Sequence, residues 1–256
     1  MNRTRRQWLA GMSIAGAGAL FVGCRGQGSS ARNEEAKGEA KGEESSPDNG
    51  DEQGGASVSA TEDLMREHGI LRRALLVYQE SAIKLREDAS AIAPDALEKT
   101  AQLFRSFGED YHEKQLEEAY IFPALKKAGG PAAIYADVLA VQHARGREIT
   151  DYVLSVTAAE KLTWRNSAGL VNALQSFVRM YEHHAAFEDT IVFPAWKATM
   201  DDKRLDEIGE KFEEIEHKKF GEDGFEAAVK RMTEIEESLG MADLSLFTAP
   251  PPPAHG

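Results

Sequence analysis

The ten residues "EEAYIFPALK" (117–126) return as "EDTIVFPAWK" (188–197), aligned without a gap and identical at Glu, Phe, Pro, Ala and Lys. Each copy closes a long stretch in which apolar side chains recur every three or four positions, the period of a helix with one buried face. Pro123 and Pro194 lack the amide proton that would continue the helical ladder, and their rings crowd the preceding turn, so they mark equivalent points on two helices. Each of these helices is preceded by another, which makes two equivalent αα-hairpins. Short connections between long helices favour antiparallel neighbours, so the expected fold is all-α: an up-down-up-down four-helix bundle.

Cap and breaker residues place the helices. Ser59-Ala60-Thr61-Glu62 has capping-box spacing, and Leu64, His68, Leu71, Leu75 and Tyr78 follow on one stripe, which predicts a helix to about residue 88. Pro94 opens a second helix that reaches Phe122-Pro123, and Gly129-Gly130-Pro131 breaks the chain. A third helix is expected over 131–157 and a fourth from about 162 to Phe193-Pro194. The bundle then occupies residues 59–200. Two shorter helices form a C-terminal extension over 201–240, and a Pro-rich tail, 241–256, stays outside the core.

The N-terminus reads differently. Thr4-Arg5-Arg6-Gln7-Trp8-Leu9 leads into an apolar run over 8–22 that is too short to span a bilayer, and the run ends at Phe21-Val22-Gly23-Cys24. Residues 1–24 resemble a twin-arginine export signal joined to a lipobox. The resemblance implies lipidation at Cys24 and a membrane-anchored protein facing the periplasm or the cell exterior. Cys24 is the single cysteine, so no intramolecular disulfide can form. Residues 25–58 are rich in Gly, Ser, Glu and Lys, cannot bury enough surface to offset their ordering entropy, and are expected to be a disordered tether. A formal net charge of -13 argues against nucleic acid as a partner, because phosphate binding needs a cationic face. The chain shows no nucleophile arrangement of serine or cysteine and no glycine-rich phosphate loop.

Four of the seven histidines fall one per long helix: His68, His112, His143 and His184. His68 shares its stripe with Leu64, Leu71 and Leu75. His143 follows Leu139 by one turn, and Gly146 leaves room beside it. His184 lies on the stripe of Phe177, Met180 and Ile191, whereas His183 is rotated by about 100°. A lone inward histidine is more often a satisfied core residue than a ligand. Four of them joined by inward carboxylates are hard to satisfy without a metal, because each buried charge is costly unless compensated. His184 and Glu188 are an i,i+4 pair on one face. His112 and Glu117 are i,i+5, a rotation of about 140° on a regular helix. Either a π-type widening aligns those two, which is the favoured reading, or Glu113, i,i+4 to Glu117, also ligates. The candidate metal residues are therefore His68, His112, Glu113, Glu117, His143, His184 and Glu188.

Helices carrying His, His with Glu, His, and His-x-x-x-Glu, each glutamate five residues before Phe-Pro, resemble the hemerythrin-like family, the HHE cation-binding domain. The resemblance implies a non-haem site of two irons, with His68, His112, His143 and His184 as terminal ligands and Glu117 and Glu188 as bridges. It also keeps Glu113 in the set. In oxygen-carrying members a second histidine stands where this chain has Arg147, and a carboxylate-rich set favours the ferric state. The expected function is binding of dioxygen, nitric oxide or peroxide for sensing, storage or oxidative defence. A di-iron oxidase or peroxide-reducing enzyme and a metal-stabilised structural lipoprotein are the competing expectations, with manganese or zinc as alternative metals.

Overall fold

The computed structural model describes residues 58–158, 162–221 and 223–253, with the side chain of Trp164 excepted. The export signal, Cys24, the tether and His255 lie outside the described residues, apart from Val58. Among the described residues there is no strand, and no helix is long and apolar enough to cross a membrane.

Helix α1 (Ala60–Glu87) begins where the Ser59 hydroxyl accepts the Glu62 amide at 3.3 Å. Glu62 and Asp63 in its first turn and Lys84 and Arg86 in its last complement the helix dipole. Helix α2 spans residues 94–128 without a break. It is regular over Pro94–Leu103, π-helical over Phe104–Ile121 and regular again over Phe122–Ala128. It stops at Gly129 and Gly130, whose φ angles of 74° and 85° are open to glycine. A 3₁₀ turn, Pro131–Ile134, leads into α3 (Tyr135–Thr157). Helix α4 spans 164–197: regular over Trp164–Phe187, π-helical over Glu188–Val192, regular over Phe193–Lys197. These four helices form the bundle. α1 packs along α4, and α3 lies against both α2 and α4.

The repeated Phe-Pro step explains why both helices are widened in the turn before it. The amide of Phe122 donates to the carbonyl of Glu117, and that of Phe193 donates to the carbonyl of Glu188, five residues back in each case. A proline ring at the next position crowds the carbonyl one regular turn behind it, and the wider turn relieves that contact. In α4 the π segment is five residues long, but in α2 it runs eighteen residues and takes in His112. That difference places His112 and Glu117 on one face despite their longer spacing.

The two remaining helices, α5 (Asp202–Phe220) and α6 (Gly224–Ser238), pack on the bundle. Phe212 stacks on Trp196 at 5.9 Å and meets Tyr120 edge-on, and Phe220 meets Tyr111 edge-on at 5.3 Å. Arg73 of α1 clasps Glu236 of α6 with two bonds, of 2.9 and 2.5 Å. The extension is thus continuous with the core. Residues 242–253 are exposed, including Leu244, Leu246 and Phe247.

Candidate metal centre

Each bundle helix delivers one buried histidine to a common point. His68, His112, His143 and His184 are all at most 4% exposed, as are Glu117 and Glu188, whereas His183 is exposed. The histidines meet in two pairs. His68 and His112 approach through their Nε2 atoms at 3.0 Å, and His143 and His184 do the same at 3.1 Å. Both glutamates reach across the pairs. Glu117 lies 3.4 Å from His112 and 3.2 Å from His143, and Glu188 lies 3.0 Å from His184 and 3.4 Å from His68.

The outward nitrogens decide the protonation. His68 Nδ1 faces Asp189 at 2.7 Å, His112 Nδ1 faces Glu67 at 2.7 Å, His143 Nδ1 faces Glu118 at 2.9 Å, and His184 Nδ1 faces the Gln142 amide oxygen at 2.9 Å. Each of these oxygens accepts, so each Nδ1 carries the proton and donates it. In a neutral ring the lone pair is then on Nε2. Two lone pairs facing each other at about 3 Å repel, unless a proton or another cation lies between or beside them. The carboxylates have the same need: none of the four oxygens of Glu117 and Glu188 receives a hydrogen bond, although all are buried. Such groups are costly to bury without compensation.

The site therefore attracts positive charge. Burial pushes imidazoles down, yet the surrounding Glu113, Glu117 and Glu118 bring His143 up to about 10, and Glu117 and Glu67 hold His112 well above its ordinary value. Burial likewise pushes the Glu117 carboxyl up, but His112 and His143 hold it well below the usual range. Four imidazole nitrogens and two carboxylates are a donor set that fits iron, manganese or zinc. Three of the residues, His68, His112 and Glu117, offer ligand atoms within 4.8 Å of one another, and so do Glu117, His143, His184 and Glu188, with Glu117 common to both groups.

Glu113, also on the candidate list, is set apart from the other six. Its carboxylate accepts from the Tyr181 hydroxyl at 2.7 Å and pairs with Arg147 at 3.2 Å, and it lies 4.0 Å from the outer nitrogen of His143. Arg147 also holds Glu118 at 2.5 Å, so a guanidinium compensates the charges behind His143. Burial raises the Glu113 carboxyl above its ordinary value. Tyr181 reaches Glu113 across Gly146, where a Cβ would meet its hydroxyl at 2.0 Å.

The four partners of the outer nitrogens were not singled out from sequence. They form a ring. Glu67 of α1 holds His112 of α2, Glu118 of α2 holds His143 of α3, Gln142 of α3 holds His184 of α4, and Asp189 of α4 holds His68 of α1. Each partner is adjacent in sequence to its own helix's proposed ligand, and each serves the next helix around the bundle. The adjacent pairs Glu67-His68, Glu117-Glu118, Gln142-His143 and Glu188-Asp189 were the available signal. Tyr111 backs Glu67 at 3.1 Å, and Arg72 pairs with Asp189.

A four-helix bundle that gathers four imidazoles and two carboxylates around facing lone pairs is a cation-binding bundle. The comparison with known proteins gives its family: residues 59–196 match the model of the hemerythrin HHE cation-binding domain, and the chain belongs to that family. Among its relatives are proteins of Mycobacterium tuberculosis (strain H37Rv) and Mycobacterium bovis, both described only as uncharacterised. Each is 47% identical over 192 residues, which cover 75% of this chain and 74% of the relative. No solved structure matches the chain.

Proposed function

We propose that the centre holds two irons, with His68, His112, His143 and His184 as terminal ligands and Glu117 and Glu188 as bridges, and that it binds dioxygen or a related small molecule such as nitric oxide or peroxide. The observation that carries this reading is the convergence of four Nε2 lone pairs on four carboxylate oxygens that receive no hydrogen bond. Iron, when bound, would supply one-electron chemistry. The chain's own residues supply the rest. The ring of Nδ1 partners fixes tautomer and ring orientation, while Glu113 stands behind the centre as the partner of Tyr181 and Arg147. A small pocket lined by Leu71, Leu75 and Ala185 together with Arg72, Glu113, Glu117 and Tyr181 reaches His68, His112 and His184 and has room for a small ligand only.

Iron-reconstituted protein should carry about two metal ions per chain by elemental analysis, and Glu188→Ala should lose them. An optical change on exposing the ferrous protein to oxygen, reversed under vacuum, supports sensing or storage. Prompt and irreversible conversion to the ferric state sinks that reading and supports the oxidase. We further propose export by the twin-arginine route and anchoring at Cys24, supported by the Arg5-Arg6 pair and the single cysteine at the end of the apolar run. Labelling with a fatty-acid analogue that persists in Cys24→Ala would sink the anchor.

A further inference from the structure

The ring around the centre has one irregular member. The two hairpins are related by the repeat, so Glu67-His68 on α1 corresponds to Gln142-His143 on α3, and Glu117-Glu118 on α2 corresponds to Glu188-Asp189 on α4. Under that correspondence His112, held by Glu67, is the counterpart of His184, held by Gln142. Three imidazoles therefore donate their outer proton to a carboxylate, and the fourth donates to a neutral amide.

We infer that the centre holds its two ions unequally, the half formed by His143 and His184 being the weaker, because Gln142 stands where its counterpart is a carboxylate. This rests on the dinuclear reading above. A hydrogen bond from Nδ1–H to a carboxylate makes Nε2 more basic and a stronger ligand, and an amide does so less. The two Nε2 separations, 3.0 and 3.1 Å, do not distinguish the halves. Both glutamates lean towards the Gln142-backed half, Glu117 at 3.2 Å from His143 against 3.4 Å from His112 and Glu188 at 3.0 Å from His184 against 3.4 Å from His68. The inequality therefore rests on the outer partners and runs against the inner carboxylates. Glu113 does not restore a carboxylate partner to His184: it lies 4.0 Å from His143 and is engaged by Tyr181 and Arg147. The amide is therefore the one asymmetry in charge among the partners of the outer nitrogens. Its consequence is sequential loading, with the His68 and His112 half filled first and the Gln142-backed half last to fill and first to empty.

The test is an anaerobic titration of metal-free protein with ferrous iron against a competing chelator. The wild type should fill in two steps. Gln142→Glu should tighten the weaker step by roughly tenfold or more, within the 10–100-fold range of such outer hydrogen bonds. The change is isosteric and half-buried, so the fold should tolerate it. Glu67→Gln should weaken the stronger step by a similar factor. Val141→Glu adds the same charge at a position 69% exposed on the same helix, and should leave both steps in place. Two equal steps in the wild type overturn the inference, and so does a weaker step unmoved by Gln142→Glu or moved equally by Val141→Glu. If the wild type takes one ion and Gln142→Glu takes two, the inequality stands and the dinuclear reading of the native protein fails. If neither protein takes any ion, both readings fall.

Discussion

Replacing Gly146 with alanine should loosen the centre from behind without touching a proposed ligand. The new Cβ would meet the Tyr181 hydroxyl at 2.0 Å, Cζ at 2.8 Å and Cε2 at 3.0 Å. The ring has nowhere simple to go: Tyr181 is 4% exposed and lies 4.9 Å from the Phe104 ring and 4.6 Å from the Phe177 ring. Relief must push the ring and α3 apart and break the 2.7 Å bond to Glu113 as well. Losing a hydrogen bond to a buried carboxylate costs about 1.5–3 kcal/mol, and overpacking costs about 1–3 kcal/mol more. Alanine gains about 0.5–1 kcal/mol over glycine inside a helix. The net is a loss of about 2–5 kcal/mol, or roughly 5–15 °C in Tm for a domain of this size. Thermal and urea unfolding of the metal-free protein would measure it. Tyr181→Phe removes the nearest atom and should rescue part of the loss, so the double mutant should depart from additivity by about 0.5–3 kcal/mol. A Gly146→Ala protein as stable as the wild type, or strictly additive effects, would refute the contact as described.

Three further outcomes follow from groups around the centre. Burial raises the Glu109 carboxyl from 4.5 to about 7. The folded state thus holds a proton that the unfolded state releases, and stability present at pH 4.5 is lost as pH rises towards 7, by at most about 3 kcal/mol. Glu109→Gln should flatten the curve of unfolding free energy across that window. Arg147→Met removes the guanidinium from Glu113 and Glu118. Because the arginine is partly exposed, denaturant unfolding should show a cost of about 1–3 kcal/mol, below the range for a fully buried pair. Phe212→Ala, which empties the place stacked on Trp196, should cost about 3–5 kcal/mol, and exchange of the α5 amides should rise with it.

Helix number and starts were legible because they depend on local rules, but the ends expected at Phe122-Pro123 and Phe193-Pro194 were not, since α2 and α4 run through the prolines to Ala128 and Lys197. Ser59, Pro94 and Gly129-Gly130 act on their own turns whatever the surroundings, whereas the Phe-Pro steps widen their helices without ending them. The inward faces were legible for a similar reason: a stripe of apolar residues separates His184 from His183 by rotation alone, and the structure buries the first and exposes the second. The widening in α2 left a trace as a one-residue mismatch between the copies of the repeat. Its extent back to Phe104 left none, since the exchange of one hydrogen-bond ladder for another along a long helix is settled by what packs beside it. Glu113 illustrates the same limit. On periodicity alone it could ligate or not, and what engages it is an arginine on α3 and a tyrosine on α4, neither of which has any sequence relation to it.

The ring of outer partners lies between these cases. Each member is displaced by one residue from a proposed ligand and so points about 100° away, towards a neighbouring helix instead of the centre. Periodicity marks such a residue as flanking the core. Which helix it meets depends on the order of the helices around the bundle, which no single stripe contains. Once that order is known, adjacency becomes a rule: the residue beside a ligand on one helix orients the ligand on the next. Applied to both hairpins, the rule turns the difference between Glu67 and Gln142 into the difference we propose between two metal positions. The repeat that specifies near-equivalent halves thereby isolates the one place where the outer partners differ in charge.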